Sequence, residues 1–233
     1  MKFIAAAALA VALALGAARP AAADCAVDHK TRVAGGDECL VIGVFGEPAA
    51  KTSLAVFIHG DGSRGGPSDY LFALAESFAG PGVVTVGLIR PGYFDSDDNT
   101  STGESYRHEG DGYRPEIVEA VAGAVKALKA HYGADYVVLV GHSGGAAISG
   151  VIAGRYPDLA QGFVLGGCPC HVPDWRFHRR GQNNWGFSQS PHDFADAVPV
   201  TARFDEVSDA SHNGVARSEP FKDAIREVLA ARP

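Results

Sequence analysis

Ser143 stands in Gly141-His142-Ser143-Gly144-Gly145, between the apolar run 136–140 and a stretch rich in alanine and glycine. A serine on a sharp strand-to-helix turn can act as the nucleophile of acyl transfer. The strained backbone projects its hydroxyl at the edge of a sheet, and only glycines leave room at its flanks. The first N–H groups of the following helix have no partner within the helix, so they can stabilise an oxyanion. A second glycine-lined bend, His59-Gly60-Asp61-Gly62, closes the apolar run 53–58. In such an arrangement a backbone N–H after the earlier strand completes the oxyanion hole. The N–H groups of Asp61 and Gly144 form the candidate pair, with His59 read as a structural support of its loop.

The elements that must position these residues follow from periodicity. Short apolar runs alternate with longer helical patterns, which predicts an α/β fold: a mostly parallel central sheet with helices on both faces. Strands are expected at "CLVIGVFG", "SLAVFIHG", "GVVTVGLIRPG", "YVVLVG", "GFVLGGCP" and "VPVTARF". Helices are expected at "YLFALAESFAG", "RPEIVEAVAGAVKALKAHYG", "GGAAISGVIAGRYP" and "SEPFKDAIREVLAAR". Pro115 in a first turn and Gly133 after a last one are the start and stop signals of the longest of these. From 171 to 197 the pattern dissolves into a segment with both tryptophans, three arginines and three histidines. It is too long for an ordinary connector and reads as a lid-like excursion. Its Trp175, Trp185 and Arg176 would shape a pocket for a partly aromatic or anionic substrate.

Taken in order, HGDG, RPGY (Arg90 to Tyr93) and GHSGG resemble the strand-end motifs of α/β-hydrolase-fold serine hydrolases. The resemblance runs from about Cys39 to Ala231 and is nearest the dienelactone-hydrolase-like and prolyl-oligopeptidase-like members. It implies a serine, an acid and a histidine in that chain order, with no cofactor. The acid is expected after the strand "VPVTARF", where Asp209 is the candidate and Asp205 the alternative. The family places its histidine beyond one more strand. This chain ends at Pro233, and none of its nine histidines lies beyond His212. Three readings follow: a sequence truncated before its last strand and Gly-His loop, which is favoured; a base recruited from His212, His192 or His171; or a pocket that has lost catalysis. His212, oriented by Asp209, is carried forward as the candidate base.

Residues 1–23 read as a secretory signal, with Lys2, an apolar stretch too short to span a bilayer, and Ala21-Ala22-Ala23 as the cleavage site. The α/β-hydrolase domain is then 24–233, in a secreted or periplasmic protein with no membrane contact after cleavage. Loss of Lys2 and Arg19 takes the formal charge from −7 to −9, which disfavours a nucleic-acid partner. In an oxidising compartment a Cys25–Cys39 disulfide would tie down the mature N-terminus. Cys168 and Cys170 are open to two free thiols or to a bridge, and no Cys and His spacing suits a zinc site.

The expected function is hydrolysis of a carboxylic ester or small amide or peptide through an acyl-enzyme on Ser143. Two alternatives from other classes are a non-catalytic binding protein on the same scaffold and a thiol-redox protein using Cys168 and Cys170. A dinucleotide-binding protein is disfavoured, because the glycines around Ser143 do not form G-x-G-x-x-G.

Overall fold

Six strands form one sheet in the order β1-β2-β4-β3-β5-β6. In the computed structural model residues 25–62, 65–106, 112–180, 189–193, 203, 205, 207–208 and 210–233 are described. The strands are β1 (Arg32–Gly35), β2 (Glu38–Phe45), β3 (Ser53–Ile58), β4 (Val83–Leu88), β5 (Tyr136–His142) and β6 (Gly162–Gly166). The helices are α1 (Phe72–Ser77), α2 (Pro115–His131), α3 (Gly144–Arg155), α4 (Val172–Arg180) and α5 (Glu219–Ala230). The strands β4, β3, β5 and β6 are parallel, whereas β2 runs antiparallel to both β1 and β4. The expected strand at 198–204 falls largely outside the described residues. No helix among the described residues is long and apolar enough to cross a membrane.

Strand alternation explains how the layers form. Leu54, Val56 and Ile58 of β3 pack in one apolar cluster with Val118, Val121 and Val125 of α2 and Ile148, Val151 and Ile152 of α3. Ala55 and Phe57 face the other way, with Ala75 of α1 and Phe221 and Ile225 of α5. Every residue of β3 and β5 is buried, as is the rule for strands covered on both faces. Helix α3 is buried from Gly144 to Gly154. This accounts for its lack of a polar stripe, since a helix enclosed on all sides needs none.

Close backbone approach fixes α1 on the sheet. Gly43 and Gly87 are paired across β2 and β4, and the Phe72 ring lies on both. A Cβ at Gly87 would come within 2.1 Å of that ring and one at Gly43 within 2.7 Å.

Two elements differ from the sequence expectation. Strand β1 is only four residues long, too short for alternation to declare itself, and it pairs with β2 through a two-residue Gly36-Asp37 turn in which Gly36 has φ 64°. Within the lid-like segment, 172–180 forms α4. Its inward positions include Arg176, 1% exposed, with its guanidinium 5.4 Å from the Tyr113 ring centre. A buried arginine hides the apolar period by which a helix is recognised.

Cys25 is disulfide-bonded to Cys39, and Cys168 to Cys170. The first bridge joins the start of the described chain to β2. Beside it, the Asp28 carboxylate accepts the backbone N–H groups of Lys30, Thr31 and Arg32. These bonds to the charged form hold its pKa well below the usual carboxylate range.

Two stability predictions follow from these contacts. Replacing Cys25 and Cys39 together by serine removes a cross-link spanning 14 residues and should cost about 3 kcal/mol. A calorimetric Tm lower by roughly 6–12 °C is expected for a domain of this size. Gly87→Ala should cost about 1–3 kcal/mol by overpacking against Phe72, read as a lower urea midpoint at unchanged m-value.

Candidate active site

Ser143 is the last residue before α3, with φ 54° and ψ −119°. A non-glycine residue at positive φ is strained, and strain of this kind persists only where the surroundings over-determine it. Here its N–H donates to Gly166 O at 2.8 Å, while Ala147 N–H donates to Ser143 O at 3.1 Å. The neighbours have no room for side chains. A Cβ at Gly141 would lie 2.5 Å from the Ala146 Cα, and one at Gly145 would lie 2.1 Å from Ile58 O. The turn is therefore wedged against the end of β3, and Ser143 is 8% exposed.

The loop after β3 covers the turn from the other side. A Cβ at Gly60 would sit 2.8 Å from the Ser143 Cβ, and one at Gly144 would collide with the Asp61 carboxylate at 2.0 Å. No acceptor among the described residues takes the N–H of Asp61 or of Gly144. The Asp61 side chain is anchored instead. Its Oδ1 meets Arg90 Nη1 at 2.9 Å and its Oδ2 accepts the Tyr113 hydroxyl at 2.6 Å. Burial pushes the Tyr113 hydroxyl well above its ordinary pKa, with the Asp61 charge adding to the effect, so it remains a donor.

His59 serves its loop. Its Nδ1 donates to Gly60 O at 2.6 Å, and its Nε2 accepts the Arg90 N–H at 3.0 Å. These partners define a neutral tautomer with no valence left for a reaction. The side chain is 1% exposed and stacks edge-on against Tyr93. Arg90 and Tyr93 of the RPGY turn thus support the same loop as HGDG.

His212 reaches the serine from the segment between β6 and α5. Its Nε2 is 2.8 Å from Ser143 Oγ, across 69 positions of sequence. Gly167, at φ 59°, lies against the ring, and a Cβ there would stand 3.2 Å from the imidazole, a tight contact. The other candidate histidines lie elsewhere. His171, partly exposed, pairs with Asp174 at 2.9 Å, and the exposed His192 sits beside Asp193 at 4.0 Å. Asp205, the alternative acid, is an exposed partner of Arg203 at 2.8 Å. Asp209 and Trp185 lie outside the described residues. Among the described residues no carboxylate hydrogen-bonds the His212 ring. Arg176 is buried, with its guanidinium over the Tyr113 ring.

Sequence reasoning treated His142 as the variable position of its motif. In the structure it is 4% exposed, with Nε2 3.0 Å from His212 O and Nδ1 2.8 Å from the Tyr70 hydroxyl. Desolvation is the main cause that lowers its pKa below the ordinary imidazole value. The only sequence signal was an imidazole adjoining Ser143.

The sheet order, with β2 reversed against a parallel β4-β3-β5-β6 and the serine turn at the end of β5, decides the architecture. The chain has the α/β-hydrolase fold. An α/β serine hydrolase homologue from Coxiella burnetii matches 84% of this chain over 95% of its own, with TM-score 0.54 at 18% identity. An α/β serine hydrolase without lid from Xanthomonas campestris matches 87% over 95%, with TM-score 0.54 at 16% identity. Est1E from Butyrivibrio proteoclasticus, solved with ferulic acid bound, matches 83% over 73%, with TM-score 0.49 at 16% identity. No family model matches the chain, and no curated protein does. Within this α/β-hydrolase fold, the loop after β3, the turn after β5 and the His212 segment converge at one end of the parallel strands, where open α/β sheets place their sites.

The brace under the loop after β3 gives a prediction. Arg90→Met leaves the Asp61 carboxylate without its cation in a site where Arg90 is 1% exposed. Breaking such a pair costs about 3 kcal/mol or more, so thermal unfolding should move down by at least roughly 6 °C.

Proposed function

We propose that this protein is a serine hydrolase that cleaves a carboxylic ester or small amide through an acyl-enzyme on Ser143. The observation that carries the reading is the 2.8 Å contact between His212 Nε2 and Ser143 Oγ, made on a serine held at φ 54°. A nucleophile within hydrogen-bond reach of a base on such a turn is the geometry that acyl transfer needs.

In this mechanism His212 Nε2 takes the hydroxyl proton as Ser143 Oγ attacks the substrate carbonyl. The tetrahedral oxyanion is held by the N–H groups of Asp61 and Gly144. The imidazolium then gives its proton to the leaving alcohol or amine as the scissile bond breaks, and the acyl group remains on Ser143. A water, deprotonated by the same imidazole, attacks the acyl carbon and releases the carboxylic acid, and Ser143 recovers its proton. Asp209, three residues before His212, is the acid proposed to steady the imidazolium. The order of HGDG, RPGY and GHSGG supports kinship with the dienelactone-hydrolase-like and prolyl-oligopeptidase-like members. Residues 1–23 are proposed as a leader that sends the domain to the periplasm or outside the cell, and the two disulfides agree with an oxidising destination.

A fluorophosphonate probe tests the reading. The folded chain should be labelled at Ser143, and the heat-denatured chain should not. Ser143→Ala and His212→Ala should each lose turnover of p-nitrophenyl acetate by up to about 10⁶-fold, because nucleophile and base act as a unit. Labelling that survives either substitution would refute the assignment.

A further inference from the structure

The chain of hydrogen bonds behind the base can be given directions. Gly60 N–H donates to the Tyr70 oxygen at 2.7 Å. His142 Nε2 faces a carbonyl, the His212 O, at 3.0 Å. A carbonyl only accepts, so that nitrogen carries the proton. Nδ1 of a neutral His142 is then an acceptor, and it takes the Tyr70 O–H at 2.8 Å. Every group in the series has one consistent role: Gly60 to Tyr70, Tyr70 to His142, His142 to the backbone of His212. Burial supports this protonation pattern from both sides. Loss of solvent at its hydroxyl end, between Gly60 N–H and His142, raises Tyr70 to about 12 and keeps it protonated while the outer part of its ring stays exposed, and burial lowers the His142 pKa, keeping that ring neutral. The Tyr70 ring also stands edge-on against His142 at 5.8 Å.

From this geometry we infer that His142 is the positioning residue of the reaction: oriented by Tyr70, it grips the main chain of His212 and so sets the base against Ser143. The inference rests on Ser143 and His212 being nucleophile and base. His212 itself is exposed and sits in an irregular segment, so little else on its own element fixes it. Its neighbour in the chain, Ser211, serves the local turn by accepting the Gly214 N–H. The grip comes from β5, the same strand end that presents the nucleophile. Base and nucleophile are thereby referenced to one rigid element, and distance errors between them stay small. A misplacement of about 1 Å at such a contact can lower the rate by about 10²-fold.

The experiment compares Tyr70→Phe, His142→Leu and His142→Gln with the unaltered chain. It uses steady-state hydrolysis of p-nitrophenyl acetate, fluorophosphonate labelling rates and thermal melts. Glutamine can still offer an N–H toward the His212 carbonyl, whereas leucine cannot. His142→Leu should lower kcat about 10²-fold with KM within about threefold, and His142→Gln should recover most of the loss. Tyr70→Phe alters a ring that is 46% exposed and should lower kcat about tenfold while the fold is retained. Full activity in Tyr70→Phe and His142→Leu would overturn the positioning role and leave the hydrolase reading intact. Equal losses in the leucine and glutamine variants, in step with falling Tm, would also overturn it, as the mark of a merely structural residue. An unaltered chain that neither labels nor turns over would remove the hydrolase reading, and the positioning role with it.

Discussion

The fold depends on how closely backbone can approach backbone at the end of β5. A serine at positive φ has to be held there against its own conformational preference, by about 1–3 kcal/mol. The restraint comes from three directions: the Gly166 carbonyl of β6, the carbonyls at the end of β3, and the first turn of α3. The last two require a residue without a Cβ beside them, Gly145 against Ile58 O and Gly141 against Ala146. The glycines of GHSGG and HGDG are one steric solution shared by two loops, and the burial of α3 follows from lying directly under that turn.

Electrostatics adds a second layer around the turn. Asp61 would be costly to bury alone, and its charge is met by Arg90 on one oxygen and the Tyr113 hydroxyl on the other. Arg90 also donates its N–H to His59, which donates to Gly60 O, so the loop is held by Arg90, just after β4, and by Tyr113, just before α2. The aspartate in HGDG fixes the loop through its side chain and leaves its own N–H without an acceptor among the described residues. Preorganised donors of this kind cost no reorganisation when charge develops.

Much of this was legible in the sequence, for identifiable reasons. The parallel strands are continuous apolar runs ended by Gly or Pro, and GHSGG is a local motif whose geometry follows from its own residues. His212 was named as the candidate base without a geometric reason, and a truncated sequence was the favoured reading, because the place of His212 beside Ser143 depends on the path of the chain after β6. His142 was invisible for a similar reason, since its partners are 70 and 72 positions away. Helix α4 escaped because Arg176, on its inner side, breaks the apolar period, and β1 because four residues are too few. The pairing of Asp205 with Arg203 on an exposed surface is likewise something no sequence pattern could show.

The two disulfides bear on how the molecule is assembled. Four cysteines allow three pairings. The one observed joins each cysteine to its nearest neighbour in sequence, 14 and 2 positions away. Either alternative would close loops of well over a hundred residues, at a greater entropic cost from an unfolded chain. Correct pairing therefore needs no prior assembly of the sheet. The covalent pattern can form locally and early, with no long-range reshuffling before the non-local strands β3, β5 and β6 come together.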